Sequence, residues 1–255
     1  AAVFSATPPY EALRFLISML MTPTCEEEHD HIVMFIDISR AHPHSPMRRD
    51  LWIKLPPEDP MSGAPGVCGK LLKSLYGTRD AGQNFELLVS EFMKSKDFIP
   101  GLFSPCTFRH EAKRMLSYVY GDNFVVKGGR NDLRWFLSEL QKTMIANVEG
   151  VLGPDPSKGD QLEVTCLNRI FRWVRGVGGT PDSIEIEADP RHVEIIVHQL
   201  NLIKGKSVGT PGVKRAPCED AKTLSPQEAT RFRSLAMRAA YLAEDRPELK
   251  FATKE

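Results

Sequence analysis

The sequence predicts an α+β domain built on a split βαβ sheet. Three observations predict it. A continuous apolar run, Ile32-Val33-Met34-Phe35-Ile36, ends at the carboxylate of Asp37, as a buried central strand does. Two β-prone runs, Met115 to Tyr120 and Phe124 to Val126, flank Gly121-Asp122-Asn123, which predicts a β-hairpin. Helical periodicity falls on either side of that hairpin.

In chain order, Tyr10 to Met21 carries Leu13, Leu16, Ile17 and Leu20 at helical spacing, with Pro9 suited to a helix start. Glu26 to Asp30 reads as a solvated connector, and Ile32 to Ile38 is the central strand. Leu51 to Leu55 is a short strand, and Pro56 to Pro65 a loop rich in proline and acid. Ala81 to Phe98 is a helix through Phe85, Leu88, Val89, Phe92 and Met93. Thr107-Phe108-Arg109 is a short strand before the hairpin. Asn131 to Met144 is an amphipathic helix, with Asn131 as the expected N-cap. Leu162 to Val174 is β-like and is expected to close the sheet. The order strand, helix, strand, hairpin strand, helix, strand is the ferredoxin-like topology. A glycine-rich break at Gly176-Val177-Gly178-Gly179 divides residues 1–175 from residues 176–255. Beyond it, Ser183 to Ala188 reads as a strand, and Pro190 to Leu202 and Ser225 to Glu244 as helices.

The composition sets outer bounds. The chain has 255 residues, 42% hydrophobic and 26% charged, values ordinary for a globular protein with a real core. Lys plus Arg and Asp plus Glu both number 33. Nucleic-acid binders are usually basic, so neutrality leaves room only for a local basic groove. The five cysteines show no C-x-x-C spacing, which argues against a zinc site. With no secretory leader in the first residues, they read as thiols of a reducing, intracellular compartment, a cytoplasmic particle or the nucleus. No apolar stretch is long enough to span a bilayer, so no membrane partner is expected. A start without Met and an end at Lys254-Glu255 read as a piece of a longer chain.

Asp37 and Asp122 carry the chemistry. Each alone is ordinary strand-end or turn usage. In a split βαβ sheet, however, the first strand and the hairpin are central neighbours, and their ends place two carboxylates side by side. Burying a lone carboxylate is costly, and two close ones repel unless a cation lies between them. Mg²⁺ (or Mn²⁺) takes oxygen ligands and shares them with substrate phosphates. A pair of such ions activates a hydroxyl and stabilises a leaving pyrophosphate. That constellation is the palm of a nucleic-acid polymerase.

The chain also resembles a known family, the reverse transcriptases of copia-type retrotransposons. The resemblance rests on Phe35-Ile36-Asp37-Ile38, on Lys73-Ser74-Leu75-Tyr76-Gly77, and on the hairpin Tyr120-Gly121-Asp122-Asn123. Val151-Leu152-Gly153, Cys166 to Ile170, Gly209-Thr210-Pro211 and Arg233 to Leu249 extend it in the family's order. It implies RNA- or DNA-templated DNA synthesis from deoxynucleoside triphosphates on a primer, with a partial fingers region, a palm and a thumb-like C-terminal part. It also implies RNase H and integrase parts elsewhere in one Pol polyprotein.

Under the resemblance the catalytic group is Asp37, Asp122 and Asn123, with Asp37 and Asp122 as metal ligands. His42, Lys73, Tyr76, Gly77 and Tyr120 would contact nucleotide or template, and Lys70 and Arg79 could reach phosphates. Departures are equally legible. The family's second hairpin aspartate is Asn123 here. His42 stands where the family has Phe or Tyr against the sugar 2′-hydroxyl. Asp80 replaces a glutamine, which puts an acid where nucleotide contacts are expected, and the basic fingers segment is missing. These departures predict impaired catalysis. They leave a catalytically dead remnant that at most binds nucleic acid as the alternative, and a ferredoxin-like binding module as a third reading. His42 and His44, flanked by Pro43 and Pro46, read as a solvated loop.

Overall fold

A computed structural model describes residues 6–206, 209 and 223–254. Thr210, Pro211 and Cys218 lie outside them. Eleven strands alternate with six helices among the described residues. Tyr10–Met21 (α1) precedes Ile32–Ile38 (β1), Ala41–His44 (α2), Trp52–Ile53 (β2), Gly69–Lys70 (β3) and Ala81–Ser95 (α3). Next come Ile99–Pro100 (β4), Thr107–His110 (β5), Met115–Tyr120 (β6), Asn123–Gly128 (β7), Arg130–Gln141 (α4) and Ala146–Leu152 (β8). The last elements are Glu163–Cys166 (β9), Arg169–Val174 (β10), Ser183–Ala188 (β11), Pro190–Gln199 (α5) and Pro226–Ala243 (α6).

The main sheet has the order β4-β5-β6-β7-β1-β8, with antiparallel pairs throughout. Its four strands β6, β7, β1 and β8 stand in the split βαβ order. A second sheet has the order β11-β10-β9, and β2 pairs with β3. The fold is thus mixed helix and antiparallel sheet, as the α+β class requires.

Alternation along β1 sorts its side chains between two layers. Ile32, Met34, Ile36 and Ile38 enter one core with Phe85, Phe92, Met93, Phe124, Val126, Phe136 and Leu140 from α3, β7 and α4. Val33 and Phe35 are fully buried on the other face, the side on which α1 meets β6 and β7. Covering both faces explains why β1 reads as one apolar run. Asp37 continues the second face at the strand's end.

Two expectations are corrected. The strand that closes the sheet is β8, not Leu162–Val174, which instead forms β9 and β10 around a turn with Leu167 and Asn168 at positive φ (51° and 57°). β8 hid because Asn147, Val148 and Glu149 are exposed on an edge strand, which breaks any apolar run. The N-cap of α4 is Gly129, with no side-chain cap bond, and the helix opens at Arg130 rather than after Asn131. Arg130 is recruited by Asp160, which takes both guanidinium nitrogens. Such a bidentate pair outweighs a neutral cap.

The described chain divides into two compact units. One comprises residues up to Val164 with Trp173–Ile184, and the other Thr165–Arg172 with the residues from Glu185 onward. In the second, Arg169 pairs with Asp245 at 3.1 Å and lies over the Tyr241 ring at 4.8 Å. A capping box at Ser225 and Glu228 starts α6.

Candidate active site

β1 and β7 are in register so that Asp37 stands opposite Asn123, and on the other side of the hairpin Asn123 stands opposite Tyr120. Between β6 and β7 lie only Gly121 and Asp122. Gly121 has φ of 60°, a two-residue hairpin turn that favours glycine at its first position. The Ile38 amide donates to the Asp122 carbonyl at 2.9 Å, which ties the turn to the end of β1. The strand end and the turn are therefore one rigid piece carrying two carboxylates.

The electrostatics follow. Partial burial, then the charge of Asp122, pushes the Asp37 carboxyl above its usual range. The Asn123 amide donates to Asp122 Oδ1 at 3.0 Å. A carboxylate in the family's place would repel Asp122; the amide binds it.

His42 and Tyr76 meet beside this pair, their ring centroids 4.5 Å apart. With Ala41, Val119, Gly121 and Asp122 they help enclose a cavity of about 320 Å³. His42 Nδ1 is buried and has no hydrogen-bond partner among the described residues. Gly77, at φ of 85°, turns the chain after Tyr76 toward α3. Tyr120 is partly exposed on the hairpin. Lys73 is not among the residues lining the cavity; its Nζ donates to the His44 carbonyl at 3.1 Å. Lys70 pairs with Asp50 at 2.5 Å and stacks over Trp52.

Two further readings change. Asp80 is no free acid near the nucleotide: it is buried, accepts from Arg49 Nε at 3.0 Å and Nη2 at 3.1 Å, and takes Asn84 Nδ2 at 3.4 Å. Arg49, then, holds the Asp80 carboxyl below the ordinary value. His44 is no solvated loop residue either. It ends the short helix α2, and its Nε2 lies 3.0 Å from the Ser39 carbonyl and 3.3 Å from the Ile145 amide.

Glu149 on β8 was not singled out in the sequence. Desolvation, then the charges of Asp37 and Asp122, push its carboxyl up, so all three acids share one electrostatic neighbourhood. Its signal was faint, since β8 itself did not read as a strand.

A model of the family described as reverse transcriptase (RNA-dependent DNA polymerase) matches residues 2–149, a span that holds both aspartates and the main sheet as far as Glu149 in β8. The chain belongs to this family. It is also 21% identical over 213 residues to the retrovirus-related Pol polyprotein from transposon TNT 1-94 of Nicotiana tabacum. That alignment covers 82% of this chain and 14% of the relative's length. The copia-type resemblance read from the sequence is borne out. Among the described residues of this reverse transcriptase domain, no helix is long and apolar enough to cross a membrane. Nor do three His, Cys, Asp or Glu side chains converge into a ready-made metal cluster. The two carboxylates nonetheless suit a hard cation, which prefers oxygen donors.

Proposed function

We propose that this domain performs templated DNA synthesis by nucleotidyl transfer, with reduced efficiency. The observation that carries the reading is that Asp37 stands opposite Asn123 in the β1–β7 ladder while the next residue, Ile38, bonds to Asp122 in the hairpin turn. Residues 1–175 then act as partial fingers and palm, and residues 176–255 as a thumb-like and connecting region.

Asp37 and Asp122 would hold Mg²⁺ or Mn²⁺, which supplies charge neutralisation for the attacking and leaving oxygens. The chain's own residues do the rest. The Ile38–Asp122 bond joins the backbone segments that carry the two carboxylates before substrate arrives, which limits the reorganisation needed. His42 and Tyr76 offer a ring wall for the sugar and base of a deoxynucleoside triphosphate. Lys73, Gly77 and Tyr120 would contact the nucleotide or template. Partners are a primer on an RNA or DNA template, with RNase H and integrase parts of the same polyprotein, in a cytoplasmic particle or the nucleus.

One observation favours the second reading, a catalytically dead remnant that at most binds nucleic acid. The Asn123 amide already occupies an oxygen of Asp122. Primer extension with Mg²⁺ and with Mn²⁺ separates the two. Extension that is lost in Asp122→Asn supports the enzyme. Retention of primer–template binding with no extension under either metal supports the remnant.

A further inference from the structure

We propose that Glu149 supplies the third negative charge at the metal site, from one water beyond the cation, in place of the carboxylate that Asn123 lacks. The inference rests on the reading of Asp37 and Asp122 as metal ligands, and it deepens that reading.

The pairing of β1 with β8 is regular on both sides of one interruption. Phe35 stands opposite Gly150 and Ile36 opposite Val148, so Glu149 is the extra residue of a β-bulge. A bulge re-aims a side chain that a regular ladder would send elsewhere, and bulges concentrate beside active sites. This one lies two residues before Asp37 on the neighbouring strand.

The bulge is held from outside. The Gln161 main-chain amide donates to the Val151 carbonyl at 2.7 Å, and Gln161 Oε1 accepts from the Val151 amide at 3.1 Å. A Cβ at Gly150 would lie 2.5 Å from Gln161 Oε1 and 2.7 Å from a Val164 methyl, so only glycine permits this approach. The Glu149 carboxylate has no ion-pair or hydrogen-bond partner among the described residues. It feels the charges of Asp37 and Asp122 instead. Repulsion among three neighbouring acids is relieved when a cation is shared among them.

The three acids do not form a direct ligand cluster. A Glu side chain acting through a metal-bound water meets that constraint, because Mg²⁺ keeps several waters. The charge that the hairpin has lost at Asn123 is thus restored from the opposite side of β1.

The test is Mn²⁺ binding to the purified chain, read as loss of the free-ion electron paramagnetic resonance signal, without nucleotide or primer. A unit charge about 6 Å from a divalent cation in water changes its affinity by roughly tenfold. Glu149→Gln should therefore weaken Mn²⁺ by about that factor, and adding Asn123→Asp to Glu149→Gln should recover most of it. Exposure of the side chain makes a folding failure easy to exclude by circular dichroism. Unchanged affinity in Glu149→Gln, alongside a loss in Asp122→Asn, overturns the role of Glu149 and leaves the catalytic reading standing. Unchanged affinity in both variants overturns the two together.

Discussion

The amide of Asn123 donates to the carboxylate of Asp122 across 3.0 Å. One residue therefore does two things. It leaves the proposed cation site one charge short, and it gives the Asp122 carboxylate a hydrogen-bond donor.

Asn123→Asp should reverse both effects. Without metal, a new like charge against Asp122 should lower stability by about 1 kcal/mol, read as a fall in melting temperature in chelator. With Mg²⁺, primer extension should rise. Recovering about 3–4 kcal/mol of transition-state stabilisation corresponds to roughly two to three decades in rate. A parent chain already as fast as the variant would show that position 123 is not the missing ligand.

Asp37 sets the pH response of the metal-free fold. Its carboxyl is raised in the folded state, first by burial and then by Asp122. A raised acid destabilises the fold at pH values above its folded pKa, and this penalty disappears below the unfolded value near 3.8. Asp37→Asn should thus raise the melting temperature in chelator at pH 7, with the gain shrinking as pH falls through the raised value toward 4. A gain that is constant with pH would assign the effect to packing.

Asp160 behaves in the opposite sense. Desolvation pushes its carboxyl up, but the Arg130 guanidinium and the Asp155 amide hold it below the ordinary value on balance. Its side chain is fully buried. Removing one partner of a buried pair typically costs about 3–5 kcal/mol, so Asp160→Asn should cut urea stability by a few kcal/mol at pH 7. A depressed acid stabilises above its unfolded pKa and loses that as pH falls through the folded one. The difference between parent and variant should therefore vanish only below the ordinary carboxylate range.

Cys106 lines the cavity beside Asp122 and donates its thiol to the Ala6 carbonyl at 3.3 Å. Burial, then the charge of Glu86, raises it to about 11. At pH 8 about one thiol in a thousand is then ionised. Iodoacetamide should modify the exposed Cys68 far faster, as peptide mass spectrometry would show. Equal rates would mean that the cavity opens readily.

The sequence disclosed the parts of this fold whose physics is local. β1 showed because burial on both faces leaves an unbroken apolar run, and the hairpin because Gly121 must take a positive φ. The aspartates stood out as charges where packing has no use for them. What stayed hidden depends on pairing between distant segments. β8 is an edge strand with polar residues where a strand pattern would alternate. Its bulge, and with it Glu149, exists only relative to β1. Asp80 looked like an intruding acid because Arg49, its neutralising partner, lies 31 residues away. The N-cap of α4 was misplaced for the same reason: Asp160 claims Arg130 from 30 residues downstream.

The position of β1 in the sheet also bears on how the chain comes to be made. Both partners of β1 follow it, β7 ending at Gly128 and β8 at Leu152. During synthesis, a seven-residue apolar segment emerges long before either neighbour exists to cover it. Such delayed, long-range pairing folds slowly and leaves strand edges open to intermolecular association. The same centrality that brings Asp37 to the hairpin therefore leaves one edge of β1 uncovered until about 115 residues beyond Asp37 have left the ribosome.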